Sequence, residues 1–518
     1  MDIRTTINQN RDLSIVLTVY SILALILITF FQYNVGGDGA SYISIAHYYA
    51  TGNWNDAING YWSPLYSWLI APFLLSGYDP FQAVIISRAI SLVTGFFTII
   101  AVNRFIEIYE LEIWVKRAVL VSLLPIILFF ALSRATPDLL VTCILVYYFS
   151  IIFNPKYLDK SSEGILSGFI GGLGYLAKSY IFPFFLVHFT VFNLIHYFQN
   201  RKSSVLKNFV LGLAVFFVIS GLWVGTISQK YDKLTIGTAT DYNHEIVGPK
   251  YQEHPIYFLG LIKPPTEKSV SIWEEPSTIK LEDWSPLQSP EYFHFQLKVF
   301  WKNITRSIAF MEYFSLLSIL ILIVSSILIF KTEFEKIRNN LIYLLTTILI
   351  YTGGYCLIFV EMRYLWPVCI LLLVTGFYLL HSLHETQIIN SKLKNVLLII
   401  LMVSFMVTPT IELVSYVSSD NQIPILSSNL KNDYQIKGNI ASNDMWAETL
   451  SISYYLESRY FGLTHNRSQA SLKEELESNN IDYYFQWSAT DELTLSNYQE
   501  ITGNRIKNLK IYSRLNRN

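Results

Sequence analysis

Residues 13–42 read LSIVLTVYSILALILITFFQYNVGGDGASY. The apolar run from Leu13 to Phe31 carries no charged residue, and about 20 such residues suffice for a helix to cross a bilayer core. It is longer than the apolar part of a secretory leader and no small-residue cleavage site follows, so it reads as a retained span. Asp38 then stands between Gly37 and Gly39. Glycines on both sides let other groups approach the carboxylate unobstructed. The competing reading of Asp38 is a turn or helix-capping residue beside glycine.

The same apolar character runs through the chain. Of its 518 residues, 52% are hydrophobic and 15% charged, with a mean hydropathy of +0.36. Soluble domains carry roughly a quarter charged residues, so this chain lacks the charge to clothe a water-facing surface. Lys and Arg number 38 against 39 Asp and Glu, which leaves no global field to recruit a polyanion. A disordered chain, a secreted disulfide scaffold and a nucleic-acid binder are excluded. Cys143, Cys356 and Cys369 lie inside apolar runs and read as small buried hydrophobes. The chain reads as an α-helical polytopic membrane protein.

Apolar runs begin near Leu13, Ala83, Ala118, Leu139, Gly164, Ile181, Phe209, Ser307, Leu341, Tyr364 and Val396, about eleven spans by length. Lysines and arginines of short loops orient them. With Arg4 and Arg11 in the cytoplasm, alternation places Arg104, Lys116 and Arg117 inside, with Lys156 and Lys160, then Arg201, Lys202 and Lys207. Lys331, Lys336, Arg338, Lys392 and Lys394 follow on the same side, and the first outer loop, residues 32–82, has no Lys or Arg. Two further segments fall outside: the loop at 228–306 and the tail at 416–518. Residues 1–415 then form the membrane domain. The tail reads as a small α/β unit, with strands at Lys437–Ser442, Ile481–Trp487 and Ile506–Ser513 and helices at Ala447–Tyr460 and Ser471–Ser478. No internal repeat or low-complexity stretch is visible.

Candidate chemistry lies on the outer face. After Asp38, Ile43, Ala46 and Ala50 recur at helical spacing, and Tyr61-Trp62-Ser63-Pro64-Leu65-Tyr66-Ser67-Trp68 follows. Such aromatic density without cations suits interfacial helices, and Tyr42 and Trp62 are candidate substrate contacts. Ser133-Arg134-Ala135-Thr136-Pro137-Asp138 joins two spans, where Arg134 has Asp138 as its plain ion-pair partner. Lys178 stands alone in Tyr175-Leu176-Ala177-Lys178-Ser179-Tyr180, with snorkelling as the plain explanation. Glu361-Met362-Arg363-Tyr364-Leu365-Trp366-Pro367 enters a span, with a Glu361–Arg363 ion pair as its plain explanation. Ionisable groups at membrane depth are costly and tend to be paired or functional. A carboxylate in a glycine-rich loop with cations at a membrane surface is suited to removing a proton from an acceptor hydroxyl while the cations hold a phosphate and offset its charge.

These motifs resemble the polytopic glycosyltransferases of the GT-C fold, similar to the protein O-mannosyltransferases and the lipid A aminoarabinose transferases. The resemblance rests on Gly37-Asp38-Gly39-Ala40-Ser41-Tyr42, Tyr61 to Pro72 as a second interfacial helix, Arg134 to Asp138, Leu176 to Ser179, and Arg363 to Pro367. In layout it covers nearly the whole chain. It implies an inverting transfer from a polyprenyl-phosphate sugar donor to a lipid, glycan or protein acceptor, with Asp38 as base. Lys178 and Arg363 would face the donor phosphate, with Tyr364, Arg134, Asp138 and Glu361 beside them. Many relatives carry a second acid beside the first, where this chain has Gly39. A divalent metal usually takes several oxygen ligands, so neither a metal nor a cofactor is expected, and Asp56 reads as a loop residue. The implied setting is the inner or plasma membrane, with the bilayer and the donor as partners and no nucleic acid.

The alternative is an envelope glycan polymerase or ligase, or a transporter of lipid-linked glycans. Polymerases and ligases lean on arginines and a histidine in a long outer loop. Here that loop has His244, His254 and His294 but no arginine from Ser228 to Asn303. A carrier would place ionisable groups near mid-membrane, whereas these lie at the outer ends of spans. Sugar and acceptor have no signature in the sequence.

Overall fold

The computed structural model describes residues 3–33, 35–251, 254–331, 334–418, 422–465, 468–488, 493–503 and 505–515. The side chain of Arg4 lies outside the described part. The first apolar run forms α1 (Ile3–Phe31), and the loop after it, residues 32–82, folds as α2 (Gly37–Ala50), α3 (Trp54–Ala57) and α4 (Leu65–Ile70). A bundle follows: α5 (Pro80–Ile106), α6 (Ile113–Ser133), α7 (Asp138–Ile152), α8 (Ser161–Ala177), α9 (Ile181–Asn200) and α10 (Ser203–Tyr231). The long loop contains α11 (Ala239–Ile246) and leads to α12 (Pro290–Phe314), α13 (Ser318–Lys331), α14 (Glu335–Cys356), α15 (Trp366–Glu385) and α16 (Ser391–Ser418). Helix α12 thus takes in residues that hydropathy alone assigns to the loop.

Helices stand at all eleven apolar runs, and they differ in length. Among the described residues seven are long and apolar enough to cross a membrane (α1, α5, α6, α9, α10, α15 and α16), or eight if α12 and α13, bent by 105° at their junction, form one span. Helices α7 and α8 have 15 and 17 residues. Their short ends, Asp138 and Ala177, are where the site forms. The protein is an integral, multi-pass membrane protein of mostly helical architecture. All three cysteines are buried and free.

Helix α15, apolar on all sides, is the buried centre of the bundle. Trp366 stacks on Phe130 with centroids 4.3 Å apart. Helices α8 and α10 approach most closely through a glycine ladder. A Cβ at Gly168 would lie 2.0 Å from the Gly212 carbonyl oxygen, and one at Gly164 2.5 Å from that of Asn208. Small residues at four-residue spacing let membrane helices pack backbone to backbone. Gly168→Val is therefore expected to cost about 3 kcal/mol or more by overpacking and to remove the monodisperse species on size-exclusion chromatography. Gly221→Val, where nothing lies within 4 Å, is the control and should elute as the wild type.

The tail begins with α17 (Gln422–Asn432) and contains β1 (Asn439–Ser442), α18 (Trp446–Tyr455), β2 (Arg459–Leu463), α19 (Gln469–Ser478), β3 (Tyr483–Trp487), β4 (Tyr498–Glu500) and β5 (Leu509–Arg514). The sheet order is β2-β1-β3-β5-β4. Strand β1 is parallel to β2 and β3, while β5 is antiparallel to β3 and β4. The helix expected to run to Tyr460 ends at Tyr455, because Glu457 turns left-handed (φ 52°) and releases Arg459–Leu463 as a strand. The tail, the loop at 32–82 and the long loop share one apolar core. Tyr454 donates to the Pro80 carbonyl, Phe81 stacks on Tyr455 at 4.4 Å, and the Ile262 amide donates to the Phe461 carbonyl at 2.7 Å.

Candidate active site

Four chain breaks meet at the end of the bundle that faces the tail: between α1 and α2, α6 and α7, α8 and α9, and α14 and α15. Each presents charge. Gly36, at φ 65°, turns the chain from α1 into α2 and puts Asp38 in that helix's first turn, with no capping bond. The capping reading of Asp38 therefore does not hold. Asp138 opens α7, Lys178 follows the last residue of α8 in extended conformation (φ −157°), and Arg363 lies in a 3-10 turn before α15.

Arg363 is the hub. Its Nη2 lies 2.5 Å from Asp38 Oδ2, its Nε 2.6 Å from Glu361 Oε2, and its Nη1 3.7 Å from Asp138 Oδ2. Lys178 Nζ lies 2.6 Å from Asp138 Oδ1 and 3.5 Å above the Tyr364 ring. Thr136 Oγ1 donates to the other Asp138 oxygen at 2.7 Å. Asp138 is thus saturated and only 4% exposed, whereas the side chains of Asp38 and Glu361 each keep 36% of their surface open. Three carboxylates against two cations leave the cluster acidic, and its accessible members are Asp38 and Glu361.

The structure unites Asp38, Asp138, Lys178, Glu361, Arg363 and Tyr364. It corrects two plain explanations. Lys178 does not snorkel to water but pairs with Asp138 forty residues earlier. Arg134 does not pair with Asp138; it is exposed and lines a cavity of about 230 Å³ shared with Arg306, Glu361, Arg363 and Glu412. The Glu361–Arg363 pair is present, as part of the larger network. Tyr42 is buried beneath Asp38, edge-on to Trp62 (4.9 Å) and Tyr66 (5.5 Å), and Trp62 Nε1 donates to the Trp273 carbonyl at 2.8 Å. Asp56 accepts locally from Asn53. The structure adds Arg306, hidden in sequence at the edge of an apolar run, and Tyr355, whose ring stacks on Tyr364 at 4.9 Å. Gly39 also has a structural reason: a Cβ there would sit 2.9 Å from Ala135 Cβ and 3.2 Å from its carbonyl oxygen. A second acid at that position is sterically shut out.

The long loop pins the helix that carries Asp38. Ser41 and Trp62 both donate to the Trp273 carbonyl. Glu274, 3% exposed, accepts from Tyr48 and from the Val270 amide, each at 2.7 Å. Burial lifts its carboxyl from the ordinary 4.5 to about 7. His254 is stacked against Trp446 and lies 4.5 Å from the Trp273 ring; burial lowers it to about 4, against the pull of the Asp38 charge. Because folded Glu274 holds its proton where the unfolded chain has released it, its contribution is complete below pH 4.5. It declines as pH rises to about 7, by about 3 kcal/mol in all. The melting temperature should therefore fall across that window more steeply in wild type than in Glu274→Gln. Parallel curves would remove Glu274 as the cause.

No family model matches the sequence, and no curated protein matches it. Among solved structures, the chain is similar to ArnT from Cupriavidus metallidurans bound to undecaprenyl phosphate. The identity is 10% and the TM-score 0.52, over 96% of this chain and 97% of that one. It is also similar to the apo state of the same ArnT, at 11% identity and a TM-score of 0.50, with the same coverage. A likeness at such identity shows architecture alone, and that architecture is the GT-C fold.

Proposed function

We propose that the protein is an inverting glycosyltransferase, moving a sugar from a polyprenyl-phosphate donor to a hydroxyl of an envelope lipid, glycan or protein. The work is done on the extracytoplasmic face of the inner or plasma membrane, with the N-terminus in the cytoplasm. The observation that carries this reading is an accessible Asp38 held by Arg363 beside the Asp138–Lys178 pair. The likeness to an ArnT structure that holds undecaprenyl phosphate supports the donor class.

In the mechanism, the donor phosphate takes over Arg363 from Asp38 and thereby frees the carboxylate. Asp38 removes the acceptor hydroxyl proton as that oxygen bonds to the anomeric carbon, worth roughly 10²–10⁴ in rate. The anomeric carbon–phosphate oxygen bond breaks on the opposite face and polyprenyl phosphate leaves, its charge met by Arg363 and Lys178. Asp138 holds Lys178 in place, and Tyr364 lies under that ammonium. Arg134 lines the cavity beside Arg363, and Glu361 fixes the guanidinium. Tyr42 packs beneath Asp38, with Trp62 edge-on against it, and together they support the approach to the base.

The test supplies purified protein in lipid with a panel of radiolabelled polyprenyl-phosphate hexoses and membrane extract. Label is expected to move from one donor to a product. No transfer from any donor in the panel would reject the reading and favour a transporter.

A further inference from the structure

At the opposite end of the bundle, the far ends of α5 and α7 and the first turns of α6 and α8 surround a cavity of about 850 Å³. Helix α5 descends to it from Pro80 beside the tail, α7 descends from Asp138, and α8 rises from it toward Lys178. It is therefore remote from Asp38. Arg104, Lys116, Lys156 and Lys160 line it with Glu107, Glu110 and Glu163. Two of these carboxylates are already engaged. Glu107 pairs with the buried Lys116 at 3.4 Å, and Glu110 with Lys336 at 2.6 Å. Among the described residues Arg104, Lys156 and Lys160 have no ion pair, which leaves three cations facing the single carboxylate of Glu163.

Loop cations orient membrane proteins wherever they stand, so their sign alone implies no ligand. Here, however, they converge on one concavity from α5 (Arg104) and from the connection between α7 and α8 (Lys156 and Lys160). Its depth is marked by Trp114, 61% exposed at the start of α6 with the Arg117 guanidinium 4.8 Å over its ring. Tryptophan is enriched at the headgroup level of both membrane interfaces. A basic cavity at that depth meets phosphodiester headgroups before it meets solutes, and basic pockets between helices on the cytoplasmic side suit such groups.

We propose that this cavity binds the phosphate headgroup of an anionic phospholipid of the cytoplasmic leaflet, through Arg104, Lys156 and Lys160. The site is independent of the glycosyl-transfer reading. Reconstitution in phosphatidylcholine nanodiscs with a minor share of phosphatidylglycerol, followed by native mass spectrometry, tests it. Wild type should carry a retained phosphatidylglycerol. The triple variant Arg104→Gln, Lys156→Gln, Lys160→Gln should bind it on the order of a hundredfold more weakly, and Lys156→Gln alone about fivefold. The charge-matched variant Arg201→Gln, Lys207→Gln, Lys331→Gln, altered outside the cavity, should retain it. Equal retention in wild type and both cavity variants, or equal loss in the charge-matched control, would overturn the proposal. Displacement of the retained lipid by millimolar inorganic phosphate would assign the cavity to a soluble anion and overturn the lipid assignment.

Discussion

Asp38→Asn is expected to leave the protein folded and to lower transfer by at least about 10²- to 10⁴-fold, the usual contribution of a positioned base. The substitution keeps the shape of the side chain and removes only its capacity to take a proton. Stability should be nearly unchanged, because Arg363 retains Glu361 at 2.6 Å and the Asp138–Lys178 pair is not touched. Donor binding should hold or tighten, since Asp38 and the donor phosphate compete for the same guanidinium edge. The informative measurement is therefore turnover and donor affinity side by side. Near-normal turnover would move the base elsewhere, and Glu361, the other carboxylate with an open surface, would be examined by Glu361→Gln.

Arg363→Ala is the second large effect. It removes the group proposed to meet the leaving phosphate, and a lost stabiliser of this kind costs about 3–4 kcal/mol of the barrier. It also leaves Asp38, Glu361 and Asp138 facing one another with Lys178 as their remaining cation, so thermal stability should fall as well. Arg363→Lys separates the two consequences. A lysine restores the charge but cannot bridge Asp38 and Glu361 together, because those contacts use Nη2 and Nε of one planar fork. Folding should recover while turnover stays well below wild type. Unaltered kinetics in both variants would place the phosphate site elsewhere.

Most of the fold was legible in the chain because membrane helices announce themselves locally. A run of apolar residues is both the signal and the cause. Even so, the apolar runs did not reveal how short α7 and α8 are, at 15 and 17 residues. In the tail, the strands at β1, β3 and β5 follow from short apolar and aromatic runs bounded by turn residues, whereas β2 lay hidden in a helical pattern until the left-handed Glu457 cut it. Strand β4, three residues long, is too short to carry a pattern and exists because β5 offers it an edge.

The site divides in the same way. The sequence alone brought Asp38, Asp138, Lys178, Glu361 and Arg363 to one end of the spans, because hydropathy and loop charge assign a face to every short break. Which charge meets which was decided by packing. Local spacing favours Arg134 with Asp138, but the break before α7 aims Asp138 inward at Lys178 and leaves Arg134 in the cavity beside Arg363. Likewise, the missing second acid is a feature of composition in the sequence, while the reason for it, the wall of Ala135 against Gly39, is visible only when α2 and the α6–α7 break are side by side. Solvation selects the face a residue occupies one segment at a time; ion-pair partners depend on ångström-scale distances between segments, and those distances exist only in the folded bundle.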